Sequence, residues 1–318
     1  MATQTQTIPI TSQQDRPTIE TKLGSRSAPK SDDSLKDVKA FDVTPVIGRE
    51  YPEADLKEWL GSPKADQLIK DLAITISQRG VVFFRKQDGL TNDLQKKLVQ
   101  RLGELSETPK ESGLHIGPVS NSGRTLGGRD DEISVISSEQ AKKLYKNRIF
   151  GGTKQSRKEG WHGDITFEHV PSDYAILRLA ELPETGGDTF GERGNPENVG
   201  SELTAVHPVV RTNPVSGWKS IFAVGHHAKR INEVAEPESE HLLKWFTQLI
   251  VENHDLQVRY KWQNPNDVAI WDNRSVFHTA TYDYDGVRTG QRAVSIGEKT
   301  YLDPNSTSRR EALGTVAT

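Results

Sequence analysis

Trp161-His162-Gly163-Asp164 is the stretch on which the reading of this chain turns. On a strand, side chains two positions apart project to the same face, so His162 and Asp164 can grip one ion while Gly163 points away. A third donor must then come from a separate strand. His278 supplies one: it follows the apolar run Val268-Ala269-Ile270-Trp271 and then Asp272-Asn273-Arg274, a pattern that reads as a buried strand running into a turn. Two imidazoles and one carboxylate on one face of an ion are the donor set of a non-haem Fe(II) site with its opposite face open. Taken alone, an H-x-D pair recurs by chance and reads as a polar strand edge with a surface histidine. Its company argues otherwise. Arg288 follows His278 by ten positions, and Arg292 opens the apolar run Ala293-Val294-Ser295-Ile296. Between the two halves lies Gly186-Gly187-Asp188-Thr189.

Outward from these residues, short strands alternate with a few helices. Residues 64–79 place Leu68, Ile69, Leu72, Ile74 and Ile76 at roughly helical spacing, and Gly80 is a C-terminal stop. A second helix is expected over 91–103, and a third over 238–253. In the third, Leu242, Leu243, Trp245, Phe246, Leu249 and Ile250 make a stripe read as core packing. Strands are expected over 81–84, 133–136, 173–180, 204–211, 219–224, 256–263, 267–272 and 292–297. Many short strands with Gly/Pro turns and covering helices predict a mainly β fold, a double-stranded β-helix or jelly roll with helical decoration. Residues 1–38 are rich in Thr, Gln, Ser, Lys and Pro and read as a disordered N-terminal tail. Residues 39–318 are then a single domain.

With its motifs in this order, the chain resembles the taurine dioxygenase-like (TauD/TfdA) family of Fe(II)- and 2-oxoglutarate-dependent dioxygenases, including its fungal sulfonate dioxygenase branch. The matching stretches are WHGDITFEHVPSDYAILRLAELPETGGDTF, HPVVRTNPVSGWKSIF and QVRYKWQNPNDVAIWDNRSVFHTATYDYDGVRTGQRAV. Together they lie within roughly residues 64–305. The resemblance implies His162, Asp164 and His278 as ligands of Fe(II), and Thr189 and Arg288 as the grip on the far carboxylate of 2-oxoglutarate. Arg292 then sits beside that cosubstrate and the substrate's acidic group. The implied reaction consumes O2 and 2-oxoglutarate, releases succinate and CO2, and oxidises a C–H bond of a small anionic substrate. That substrate is a sulfonate such as taurine, or an amino acid or carboxylate.

The chain departs from the family in two places. Asp164 and His278 stand only 114 positions apart, markedly fewer than in relatives, and the shortfall falls at Phe190-Gly191. The favoured reading is a mobile lid missing from the sequence as written; the other is a true deletion, which would leave the site abnormally open. In Leu114-His115-Ile116-Gly117-Pro118, the position where the taurine enzyme carries a sulfonate-binding histidine is Gly117. His115, on the same face if that segment is extended, is a candidate substrate contact, or else a structural histidine.

Bulk properties narrow the function classes. The chain has 318 residues and a formal net charge of −3, with no basic block interleaved with aromatics, so nothing points to a nucleic-acid partner. No apolar run is long enough to span a bilayer and no secretory signal opens the chain, so a cytoplasmic enzyme without a membrane partner is expected. Homo-oligomerisation is left open. Zero cysteines exclude disulfides, thiolate metal sites and cysteine nucleophiles.

A guanidinium at Arg288 suits a carboxylate because it stays charged and binds in two prongs. Arg292 serves the site or pairs with a structural acid such as Asp272. The adjacent His226 and His227 read as structural, because neighbouring strand residues face opposite ways. Asp272 reads as a residue that orients a ligand or ties the turn. The rival functions are a non-catalytic jelly-roll metal- or ligand-binding protein and, last, a zinc hydrolase using the same three residues, which leaves Thr189, Arg288 and Arg292 unexplained.

Overall fold

Gly80 marks the switch from helix to sheet. The computed structural model describes residues 28–117, 130–137, 160–179, 193–199, 203–281 and 288–314. Its first elements are β1 (Phe41–Asp42), β2 (Arg49–Tyr51), α1 (Leu56–Gly61) and α2 (Ala65–Arg79). Gly80 closes α2 at φ +74°, and a β-carbon there would lie 2.4 Å from Cγ1 of Val276. Glycine therefore satisfies both the backbone sign and the close packing. β3 (Val81–Phe84) follows at once. Thr91 starts α3 (Asn92–Leu105), its hydroxyl accepting from the Leu94 amide.

The remaining strands are β4 (Ser134–Ser137), β5 (Ser172–Leu179), β6 (Val210–Thr212), β7 (Lys219–Ile221), β8 (Val268–Asp272) and β9 (Thr289–Ile296). Two further helices are α4 (Glu236–Val251) and the short α5 (Arg309–Ala312). Seven strands form one sheet in the order β1-β2-β3-β8-β5-β9-β4, and β6-β7 form a separate pair. Every pairing is antiparallel except β2 with β3. The molecule is mostly sheet with a few helices.

Alternation divides the large sheet into two apolar faces. Val82, Phe84, Tyr174, Ile176, Val268, Ile270 and Ala293 face α1, α2 and α3 and pack on Leu56, Ile69, Leu72, Ile76, Leu98 and Leu102. The opposite face carries Val81, Phe83, Ala175, Ala269, Trp271, Val294 and Ile296, packed with Ile165 and Val170. The second face carries the candidate site. β8 is buried along its whole length and β5 over its first five residues, so Val268–Trp271 and Tyr174–Leu177 read as short apolar runs.

Several sequence expectations are corrected. Of 204–211 and 219–224, only Val210–Thr212 and Lys219–Ile221 pair. Residues 257–263 are irregular, although the alternating Val258, Tyr260 and Trp262 do pack against the second face. Their side-chain period was real, but among the described residues the backbone has no ladder. The α4 stripe is only partly core: Phe246 is buried, while Trp245 is 47% exposed and the others are half-buried.

Residues 32–38, within the stretch whose composition suggests a tail, lie against α2. The Asp32 amide and the Ser34 amide and hydroxyl donate to Asp71 at 2.8, 2.6 and 2.7 Å, and Leu35 and Val38 pack on the core. Residues 1–27 lie outside the described residues. No described helix is long and apolar enough to cross a membrane.

Candidate metal centre

His162 and His278 are brought together by a single antiparallel bridge, each amide donating to the other's carbonyl at 3.0 and 2.9 Å. This corrects the expectation of a strand through His162-Gly163-Asp164. The bridge carries His162, and the chain turns over residues 164–167, with Ile165 at φ +62°. His278 comes six residues after β8, beyond the turn formed by 273–275. The ligand-type atoms of His162, Asp164 and His278 all lie within 4.8 Å of one another.

Each side chain is pre-set. The Nδ1 of His162 faces the Gly160 carbonyl at 2.8 Å; a carbonyl only accepts, so Nδ1 carries the proton and Nε2 is left as a donor atom. The Arg292 guanidinium donates to Asp164 Oδ1 at 2.5 Å. Oδ2 of the same carboxylate is buried, has no hydrogen-bond partner among the described residues, and lies 3.7 Å from His278 Nε2. A buried carboxylate oxygen without a donor is costly unless something positive meets it.

Burial works to raise the Asp164 carboxyl, but Arg292, His278 and His162 outweigh it and hold it well below the usual carboxylate range. Burial above all, against the pull of Asp164, takes His278 down to about 3, so it is neutral at physiological pH. An ionised carboxylate beside a neutral imidazole is the state in which both bind a metal.

Comparisons with known proteins give the family. The family model described as "Taurine catabolism dioxygenase TauD, TfdA family" matches residues 39–191 and 190–294. The chain belongs to the TauD/TfdA family. It is therefore an Fe(II)- and 2-oxoglutarate-dependent dioxygenase that also uses O2. Alpha-ketoglutarate-dependent dioxygenase btcD of Neocamarosporium betae is 49% identical, with 88% of this chain and 96% of that one covered. Alpha-ketoglutarate-dependent dioxygenase esdpJ of Penicillium shearii is 42% identical over 88% and 94% of the two chains. The fold is similar to the crystal structure of a taurine dioxygenase from Burkholderia xenovorans, with TM-score 0.58, 21% identity, and 84% and 92% coverage.

The family match breaks at residues 190–191, where the shortfall was placed. The btcD alignment runs over 330 positions, whereas 88% of 318 residues is about 280, so about 50 positions have no residue here.

Within this dioxygenase the other site residues fall as follows. Arg292 pairs with Asp164 and not with Asp272. Asp272 is fully buried and holds Arg274, Ser77 and Asn213, so it ties the turn. Arg288 stands one residue before β9, its guanidinium 5.7 Å from the Trp262 ring centroid. Thr189 lies outside the described residues. His115 is buried 3.8 Å from Glu168, which forms a two-pronged pair with Arg193 at 2.5 and 2.9 Å. Its Nε2 has no hydrogen-bond partner among the described residues.

His226 and His227, read from the sequence as structural, come close to His162. They sit in a turn, not a strand, with rings 5.0 and 5.9 Å from that of His162. Gly225 at φ +92° allows this approach, since a β-carbon there would lie 2.5 Å from the Trp161 carbonyl oxygen. The signal available in sequence was that glycine directly before the pair.

Proposed function

We propose that His162, through Nε2, Asp164, through Oδ2, and His278 hold Fe(II), and that the jelly-roll domain over residues 39–318 is built around them. The observation that carries this is the buried Asp164 Oδ2, without a hydrogen-bond partner among the described residues and beside His278 Nε2. Bound there, Fe(II) supplies the oxidative chemistry: 2-oxoglutarate and O2 give succinate and CO2 while a substrate C–H bond is oxidised.

The chain's own residues do the positioning. Arg288 receives the distal carboxylate of 2-oxoglutarate, with the hydroxyl of Thr189 adding a hydrogen bond. Arg288 and Arg292 are four positions apart, so where the backbone is extended they project to the same face. The apolar face of Ile165, Trp271 and Val294 excludes water around the cosubstrate site. A small anionic substrate is read by Arg292 and His115. Sulfonates fit through the family, and small carboxylates through the same cations.

The test is succinate formation in a screen of taurine, other alkylsulfonates, small amino acids and uncharged analogues of similar size. Succinate that depends on Fe(II), 2-oxoglutarate and one of these anions supports the reading. Enzyme that binds Fe(II) and 2-oxoglutarate yet couples to neutral substrates alone overturns the anionic class.

A further inference from the structure

Asp164 lies in a segment with almost no regular backbone support. The bridge to residue 278 ends at His162, and the next residue after Asp164 is the left-handed Ile165. A non-glycine residue in that region costs roughly 1–2 kcal/mol, so the turn needs external restraint to keep its carboxylate aimed. Two buried side chains provide it. The Asn273 side-chain oxygen accepts the Asp164 amide at 3.2 Å, and the Ser172 hydroxyl donates to the Asp164 carbonyl at 2.7 Å. Both residues are 2% exposed.

Asn273 also reaches the other ligand segment. The same Oδ1 accepts the Trp271 indole N–H at 3.0 Å, and the Trp271 ring lies 4.9 Å from the ring of His278. The amide is itself fixed, because its backbone N–H and Nδ2 both donate to the Asp173 carbonyl, at 2.8 and 3.3 Å. One carboxamide therefore ties the Asp164 turn to the tryptophan that packs on His278.

We infer that Asn273, with Ser172 as its counterpart, is a positioning residue for the metal centre. It sets the separation of the Asp164 and His278 donor atoms without touching ion, cosubstrate or substrate. The inference rests on the proposed His162–Asp164–His278 metal site.

Titration of the full chain with Co(II), without 2-oxoglutarate and read by visible absorption, tests it apart from turnover. Asn273→Ala should weaken Co(II) binding about 10–100-fold, the range for loss of a group that orients a metal ligand. Asn273→Asp keeps the accepting oxygen and should recover at least part of that loss. Ser172→Ala, a smaller change, should weaken binding several-fold and serves if Asn273→Ala does not fold. Far-UV circular dichroism and melting confirm that each variant compared is folded. Folded Asn273→Ala with wild-type Co(II) affinity overturns the inference, as does equal loss in Asn273→Ala and Asn273→Asp. If Asn273→Ala does not fold, wild-type affinity in folded Ser172→Ala overturns it. His162→Ala is the separate control: if it binds Co(II) like the wild type, the metal-site reading fails instead.

Discussion

His162, Asp164 and Arg288 carry the sharpest expectations for single side chains. On the proposed metal site, removing His162 or Asp164 leaves two of three donors, so either alanine variant should reduce succinate release to background, measured with saturating Fe(II). Substantial residual release would refute the assignment. Arg288 is proposed to act on the cosubstrate instead, and hydrogen bonds to charged groups contribute about 1.5–3 kcal/mol. Arg288→Ala should therefore raise the KM for 2-oxoglutarate roughly 10–100-fold with the Co(II) spectrum of the metal-loaded protein unchanged. Lys219→Ala, at an exposed position of β7, should leave that KM alone. Equal effects of the two would remove Arg288 from the site.

At the scale of elements, the turn after β7 is where backbone and chemistry meet. Gly225→Ala must place a methyl group 2.5 Å from the Trp161 carbonyl oxygen and 2.9 Å from Cα of His162, in a conformation that L-residues disfavour. It should lower stability by more than about 1 kcal/mol and impair succinate release, with melting and turnover read on the same preparation. Wild-type melting and turnover would show that this turn does not press on the His162 segment. The same element shows why part of the site was hidden in the sequence. β5 and β8 were legible because residues buried on both faces leave short apolar runs, Tyr174–Leu177 and Val268–Trp271, and α2 and α3 because their apolar residues repeat with helical spacing. His162, Asp164 and His278 were singled out by donor chemistry, which is local. What local pattern does not encode is approach through space: the His226–His227 turn reaches His162 across about sixty residues. The Asn273 side chain likewise joins Asp164 from over one hundred positions away. Residues 257–263 misled for a related reason, since alternation reports burial of side chains rather than a partner for the backbone.

For the molecule as a whole, the helical layer is sealed by the segment before β1. Asp71 on α2 is buried and accepts from the Asp32 amide, the Ser34 amide and the Ser34 hydroxyl. Lys70 adds an ion pair to Asp32 at 2.7 Å. Composition hid this anchor, because Ser and Asp read as tail until a buried acceptor is seen to need their donors. Burial tends to raise the Asp71 carboxyl, but the Ser34 hydroxyl and the two amides outweigh it, and the net shift is downward. A carboxyl that is more acidic when folded contributes stability above its unfolded pKa, about 3.9, and loses that contribution as pH falls through its folded value. Asp71→Asn removes the charge and turns one acceptor into a donor facing donors. A buried polar group left unsatisfied costs about 1–3 kcal/mol, so the variant should melt several degrees below wild type at pH 7 and pH 5. The gap should narrow below pH 4, as wild-type Asp71 takes up its proton and gives up the same advantage. A difference in melting temperature that stays constant from pH 7 to pH 3 would mean that the charge on Asp71 does not hold residues 32–38 to α2.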